Sequence, residues 1–197
     1  MASSLLILSN SDSGLYDFRK EVLKALLEKG FRVAVSVPDT GYVDKIKALG
    51  CEYIPTSFER RGMNPVKDMK LMLFYRRLMK EYRPLAVLTY TIKPNIYGGL
   101  AARDREPLFG KCYGAGDYAG KRRASAENDY PYVQNRFEKA GCVFFQNKGN
   151  RDFMVQKKCA SGKVRVIPGS GVNSTEHSGR RSIRRMKDKS VLCLLCA

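Results

Sequence analysis

A lysine within the sequence TIKPN, residues 91–95, is well placed to bind an anionic ligand. The stretch follows a buried apolar run, and Pro94 stiffens the turn that carries Lys93. Asn95 can cap the helix that comes next, and Gly98, beside a second glycine, lets that helix pack closely. The pattern predicts a rigid turn that presents Lys93 at the end of a strand.

The loop SNSDSG, residues 9–14, offers backbone N–H groups where a helix begins. Such groups bind a phosphate or a carboxylate, and Gly14, after Ser13, permits close approach. The chain lacks the G-x-G-x-x-G pattern of dinucleotide sites and the G-x-x-x-x-G-K-[ST] pattern of phosphate-binding loops. A capped helix start explains the same residues, so both interpretations stay open.

Three arginines lie close to predicted strand ends. Arg19 falls one turn into the first helix, and Arg60 and Arg61 follow a later strand. Because a guanidinium binds phosphate oxygens in pairs, the three together predict a diphosphate pocket. Arginines on an ordinary solvated surface are the competing explanation for each one.

Groups for acid–base or metal chemistry are sparse. The single histidine, His177, lies in an irregular tail, and a helix cap and an exposed helix face explain Asp12 and Asp17. No cluster has metal-ligand spacing. We therefore expect no catalytic residue, metal or cofactor in this chain, and a domain that binds and orients its ligands.

Strand and helix patterns alternate along the chain, which predicts an α/β fold with a Rossmann-like parallel sheet and right-handed crossovers. Ligands of such sheets bind at the carboxyl ends of the strands, where loops 9–14, 59–64 and 91–95 all fall. The predicted strands are 5–8, 32–37, 51–54, 85–90, 142–145 and 164–167, and the predicted helices are 42–49, 65–82, 95–103, 148–158 and one that ends at Gly30 with an apolar face of Leu15, Phe18, Val22, Ala25 and Leu26.

Composition limits the class of protein. The 197 residues, 44% of them hydrophobic, suit one folded α/β domain. The net charge of +17 suits nucleic acid, an anionic membrane or phosphorylated substrates, but no nucleic-acid reader motif is present. Six scattered cysteines, no signal peptide and no apolar run of about 20 residues predict a cytoplasmic protein that does not cross a membrane.

Five stretches resemble the N-terminal half of bacterial glycosyltransferases of family four, which have the GT-B fold. They are SNSDSGLYDFRKEVLKALLEKGFRV (9–33), RRGMNP (60–65), TYTIKPNIYGGLAAR (89–103), CVFFQNKGNRDFM (142–154) and VRVIPGSGVN (164–173). Their order and spacing resemble most the branch that builds capsule, O-antigen and lipid-linked glycans.

The resemblance implies sugar transfer from a nucleotide-sugar to a glycan or undecaprenyl-diphosphate-linked acceptor, with retention of anomeric configuration. By motif position, Ser13 and Gly14 would face the donor phosphates, and Arg19, Lys93 and Asn95 the acceptor. The family needs no metal or other cofactor for this, and its acceptor implies peripheral contact with an anionic membrane at the cytoplasmic face. No nucleic-acid partner is expected.

Two stretches depart from the family pattern. Residues 104–139 and 174–197, read in a shifted frame with permitted codons, regain the family's strand, loop, helix and acidic linker. We therefore hypothesise a frameshifted gene, which resequencing the locus tests. The expected organisation is an acceptor-side domain at 1–173 with an irregular insert at 104–139 that lacks one strand and one helix, then an irregular basic tail without a donor-binding domain.

Such a fragment is expected to be inactive alone. Two other interpretations stay open: a noncatalytic acceptor-binding module of the same half-fold, and a fragment resembling a nucleotide-sugar epimerase. Tight acceptor binding without turnover distinguishes the first, and the second needs acid–base residues from another part of the protein.

Overall fold

The computed structural model describes residues 3–56, 64–102, 108–112, 140–156 and 163–167. Arg60, Arg61, residues 113–139 and the tail lie outside this part of the chain. The elements of the described part are β1 (Ser4–Leu8), α1 (Asp12–Glu28), β2 (Arg32–Val37), α2 (Val43–Ala48), β3 (Glu52–Pro55), α3 (Pro65–Tyr82), β4 (Ala86–Tyr90), α4 (Ile92–Ala101), β5 (Leu108–Cys112), β6 (Cys142–Phe145), α5 (Lys148–Gln156) and β7 (Val164–Val166).

The strands form a parallel sheet in the order β3-β2-β1-β4-β5-β6-β7, which confirms the predicted α/β class. In the interior strand β1, Ile7 pairs in register with Val35 of β2 and Leu88 of β4. Leu6 and Leu8 belong to the core on one face of the sheet, and Ile7 belongs to the core on the other. The continuous apolar run of β1 therefore fills both faces, as strands covered by helices on both sides require.

Helix α1 is turned differently from the prediction. Leu15 and Leu23 are buried, whereas Phe18 is 42% exposed and Val22 is 40% exposed. The inward stripe follows the i, i+4 spacing from Leu15 through Arg19 to Leu23, so that a charged side chain takes a place expected for an apolar one. The predicted apolar face was wrong at Phe18, Val22 and Ala25, which are exposed, because a short amphipathic pattern fits two neighbouring rotations of a helix.

Helices α3 and α4 cover the other face. Helix α3 begins as predicted, with Pro65 in its first turn and the Asn64 side chain accepting the Val66 and Lys67 N–H groups. Helix α4 begins earlier than predicted, at Ile92, so that Lys93 and Pro94 lie in its first turn rather than in a preceding loop.

Strand β5 contradicts part of the predicted irregular insert. Leu108–Cys112 lies between β4 and β6, where Gly110 pairs with Thr89 and Val143. Leu108 is 2% exposed and belongs to the core. The prediction that this region lacks a strand was wrong because pairing on both edges organises five residues whose own pattern has no clear period.

The close packing of α4 on the sheet depends on Gly98. A Cβ atom there would lie 3.0 Å from Thr89 Cγ2 and 3.2 Å from Leu8 Cδ1. This confirms the expectation that a glycine lets the helix approach the strands.

Replacing Gly98 with valine should lower the free energy of unfolding by about 2 kcal/mol, because the added carbons overpack the helix–sheet contact. Gly149→Val is the matched control: a Cβ at this other helical glycine meets its nearest atom at 3.6 Å, so its effect should stay within about 0.5 kcal/mol. Urea unfolding of both variants measures the difference. Equal losses would contradict the packing role of Gly98.

Candidate functional site

The candidate site lies at the carboxyl ends of β1 and β4. The chain passes from β1 to β2 on one side and returns to β4 on the other, so the two following loops leave the sheet in opposite directions and open a crevice. The Asn10 N–H donates to Thr91 Oγ1 at 3.3 Å across this crevice. The predicted meeting of loops 9–14 and 91–95 is confirmed, while all of loop 59–64 except Asn64 lies outside the described residues.

The start of α1 is capped by its own side chains. Ser11 Oγ accepts the Gly14 N–H at 3.1 Å, and Asp12 Oδ1 accepts the Ser13 N–H at 2.8 Å. A Cβ atom at Gly14 would lie 3.1 Å from Ser11 Oγ, so this glycine keeps room for the cap. A donor phosphate that reached these two amides would have to displace both side-chain oxygens.

Asp12 links this helix start to a distant loop. Its side chain is fully buried, and its carboxylate accepts the Thr40 N–H at 2.7 Å, the Tyr42 N–H at 3.1 Å and the Thr40 hydroxyl. Burial alone would raise the pKa of the Asp12 carboxyl, but these bonds, with that from Ser13, outweigh burial and hold the pKa below its ordinary value of 3.8. Asp12 therefore fixes the crevice wall and is more than the simple cap predicted from the sequence.

Arg19 lies beneath the crevice, at the sheet edge predicted for it. It is 4% exposed, its guanidinium carbon lies 5.5 Å from the centre of the Tyr90 ring, and it donates to the Phe18 carbonyl. Tyr90 is the last residue of β4. The contact brings a buried positive charge against the strand that leads into α4.

Lys93 is held by a carboxylate that the sequence analysis did not identify. Its Nζ lies 2.9 Å from Oδ1 of Asp68, with side chains 17% and 9% exposed respectively. Asp68 is in the first turn of α3 and shares its buried stripe with Leu71 and Tyr75. An acidic residue at i, i+3, i+7 spacing with buried apolar residues was the available signal, because a carboxylate on a core stripe needs a partner.

Asn95 supports the site from within. It is fully buried, and its Oδ1 accepts the Thr89 hydroxyl at 2.7 Å. The predicted cap was wrong, since Thr91 occupies the N-cap position of α4. Thr91 has φ 74° and ψ 165°, a conformation that costs a residue with a branched Cβ of the order of 1–3 kcal/mol and that recurs at functional sites.

Other reactive groups are few in the described residues. They contain no group of three His, Cys, Asp or Glu side chains able to hold a metal ion, and His177 lies outside them. None of their helices has the length and apolar character needed to span a bilayer. Cys51 and Cys142 are buried and unbridged, and burial raises the pKa of the Cys51 thiol to about 11, so this thiol is a packing group rather than a nucleophile.

Residues 4–147 match the protein family described as Glycosyl transferase 4-like, and this match spans more than half of the chain. The chain therefore belongs to the glycosyl transferase 4-like family. Among curated proteins, the N,N'-diacetylbacillosaminyl-diphospho-undecaprenol alpha-1,3-N-acetylgalactosaminyltransferase of Campylobacter jejuni is 28% identical in an alignment of 173 residues that covers 84% of this chain and 46% of the relative. The chain thus spans about half the length of that enzyme.

Solved structures confirm that the chain has the fold of about half of a GT-B protein. MurG of Acinetobacter baumannii superposes with a TM-score of 0.57 at 19% identity, over 88% of this chain and 47% of that one. Anabaena HepE in complex with UDP and glucose gives 0.57 at 15% identity, over 84% and 44%. A UDP-N-acetylglucosamine 2-epimerase from Rickettsia bellii gives 0.60 at 11% identity, over 89% and 46%. At these identities the likeness establishes the fold alone.

Replacing Asp12 with asparagine should lower the free energy of unfolding at neutral pH by about 2–3 kcal/mol, because an amide cannot accept the same set of donors. Asp44→Asn, at a side chain that is 99% exposed, is the control and should have little effect. Urea unfolding at pH 7 measures both changes.

The pH dependence tests the charge separately. Since the folded-state pKa of Asp12 is below the unfolded value, its contribution is present above about pH 4 and is lost as pH falls through the folded-state pKa. The difference in stability between the natural chain and the Asp12→Asn variant should therefore shrink below pH 4. A constant difference would contradict an ionised Asp12.

Proposed function

We propose that this chain forms the acceptor-side half of a nucleotide-sugar-dependent glycosyltransferase whose acceptor is linked to a lipid diphosphate. The observation that carries the proposal is Lys93, which Asp68 holds in the first turn of the helix that follows β4, within a family of sugar transferases. The name of the Campylobacter relative, which is a diphospho-undecaprenol transferase, supports the acceptor class. Synthesis of a surface polysaccharide, such as capsule or O-antigen, is the corresponding proposed role.

The electrostatics of the crevice suit a diphosphate. An ammonium group has three N–H donors, and Asp68 Oδ1 accepts one of those of Lys93. Lys93 can therefore hold a phosphate oxygen while it stays paired, and the carboxylate limits where the ammonium can move. Arg19 adds positive charge below the site, which favours an anion at short range where solvent is partly excluded.

The donor is proposed to approach from the start of α1. Ser13 and Gly14 are candidate contacts for its phosphates, through the Ser13 hydroxyl and through the Gly14 N–H once the Ser11 hydroxyl has given way to a phosphate oxygen. The positive end of a 17-residue helix favours such an exchange. That UDP is bound in the HepE structure supports a nucleotide-sugar as the donor, and the proposed reaction uses no metal or other cofactor.

The side chains of the crevice bind rather than react. Its carboxylates, Asp12 and Asp68, are both occupied by donors of the chain itself. We therefore assign this half of the reaction to positioning, in which the acceptor is oriented toward a donor held by another domain.

Lys93→Gln should weaken binding of geranyl diphosphate by about tenfold, because a charge-assisted hydrogen bond is lost. Lys24→Gln, at an exposed lysine on α1, is the matched control and should bind within about twofold of the natural chain. Isothermal titration calorimetry on the 197-residue chain measures both affinities. Unchanged binding by Lys93→Gln would overturn the assignment of the acceptor site.

Turnover separates an intact enzyme from a binding half. We expect the 197-residue chain to bind geranyl diphosphate without transferring sugar from any labelled nucleotide-sugar, since orientation alone does not activate a donor. Radiolabel transfer to a short prenyl-diphosphate acceptor, assayed against several nucleotide-sugars, is the measurement. Transfer would contradict this division of labour and leave the acceptor site assignment intact.

A further inference from the structure

The outer face of α3 carries apolar side chains where a surface helix is ordinarily polar. Val66 is 65% exposed, Met69 is 54% exposed and Leu73 is 52% exposed. Their spacing of three and four residues places them along one side of the helix. We call these three residues the apolar stripe.

The apolar stripe lies opposite the side of α3 that packs on the sheet. The inward side consists of Asp68 and the buried residues Leu71, Tyr75, Leu78 and Met79. At about 100° per residue, the stripe falls on average nearly half a turn away from that set. Burial in the domain core therefore does not explain these side chains, although their type would suit it.

Basic residues continue the same outer side toward the end of the helix. Arg76, Arg77 and Lys80 are exposed, and Lys70 lies beside the stripe and is exposed as well. The helix thus presents an apolar first half and a basic second half to its surroundings. Buried apolar area and electrostatic attraction to anionic lipids are the two contributions that bind a helix to a membrane interface, and this face offers both.

The apolar stripe is at the crevice end of the molecule. Asp68, in the same first turns of α3, contacts Lys93 at the candidate site. The opposite end of α3 lies at the other edge of the sheet, where the Tyr82 carbonyl accepts the Ser4 hydroxyl at 3.2 Å. An apolar surface therefore lies next to the place proposed for the diphosphate of a lipid-linked acceptor.

We propose that the outer face of α3 docks on an anionic bilayer surface, with the apolar stripe inserted and the basic residues against lipid headgroups. This rests on the proposed lipid-linked acceptor, whose diphosphate would then meet Lys93 at the membrane surface. The net charge of +17 favours an anionic surface. Insertion of three side chains on a helix is weak by itself, so the apolar and cationic contributions must act together.

A second copy of the chain is a less suitable occupant. The apolar stripe is three side chains along about 10 Å of helix. These side chains supply only a small part of the roughly 800 Å² that each partner buries in a stable protein interface. A parallel pair of such faces would also bring Arg76, Arg77 and Lys80 of one copy toward those of the other, and like charges repel.

Vesicle co-sedimentation of the full 197-residue chain tests the proposal. Met69→Gln combined with Leu73→Gln should reduce binding to phosphatidylethanolamine–phosphatidylglycerol vesicles by about tenfold. The matched control is Phe18→Gln with Val22→Gln, which removes two exposed apolar side chains from α1 and should leave binding within about twofold. Circular dichroism checks that each variant is folded.

The charge is tested on the same vesicles. Arg76→Gln with Arg77→Gln should reduce binding by about tenfold, and Lys24→Gln with Lys29→Gln, an equal change of charge on α1 and its C-cap, should reduce it much less. The natural chain should bind phosphatidylcholine vesicles poorly. Equal losses in the α3 and α1 pairs would overturn the proposal, because binding would then depend on composition rather than on this face.

Two further outcomes are decisive. If the natural chain does not bind the anionic vesicles, the proposal is wrong. If light scattering shows a dimer that Met69→Gln with Leu73→Gln converts to a monomer, the occupant is a second copy and the proposal is also wrong. The vesicles contain no prenyl diphosphate, so these results are independent of whether Lys93 binds the acceptor.

Discussion

The arrangement of the site depends on one constraint, the position of β1 inside the sheet, between β2 and β4. This strand is hydrogen-bonded to β2 on one side and to β4 on the other, and Leu6, Ile7 and Leu8 are fully buried. Because both edges and both faces are occupied, a ligand can approach the strand only at its carboxyl end. The loops after β1 and β4 separate there. The bond from Asn10 to Thr91 joins those loops across the opening.

Buried polar residues then make this opening rigid. Asp12 ties α1 to the loop before α2, Asn95 ties α4 to β4, and Asp68 ties α3 to Lys93. A buried polar group without a partner is costly, so each of these contacts restrains two elements at once. The strained backbone at Thr91 is stable only within such a framework. Preorganisation of this kind suits a site that orients an acceptor.

Helix α3 connects the crevice to the surroundings of the protein. Its inner side carries Asp68, which positions Lys93, and its outer side carries the apolar stripe and the basic residues. A lipid-linked acceptor has an apolar chain and an anionic diphosphate joined by a covalent bond. A helix with an apolar outer face next to Lys93 could meet both parts of such a molecule, which relates the proposed docking surface to the proposed acceptor site.

Much of the fold was predictable because local signals and tertiary needs agree. The apolar run of β1, Pro65 at the start of α3 and Gly98 in α4 each act through short-range chemistry that a sequence displays. The rotation of α1 was less certain, because Phe18 and Arg19 are adjacent and either can face the sheet in an isolated helix. Strand β5 was missed because its order comes from its neighbours. The frameshift hypothesis, which concerns the gene, stays a prediction.

The sequence by itself determined the alternation of strands and helices, the family, and the place of Lys93 just after β4. Only the tertiary structure decided that Lys93 pairs with Asp68, 25 residues earlier in the chain, and that Asn95 supports the site from its interior. Local patterns report the energetics of neighbouring residues. The contacts of buried polar side chains depend on which distant elements the sheet brings together, and no local pattern contains that information.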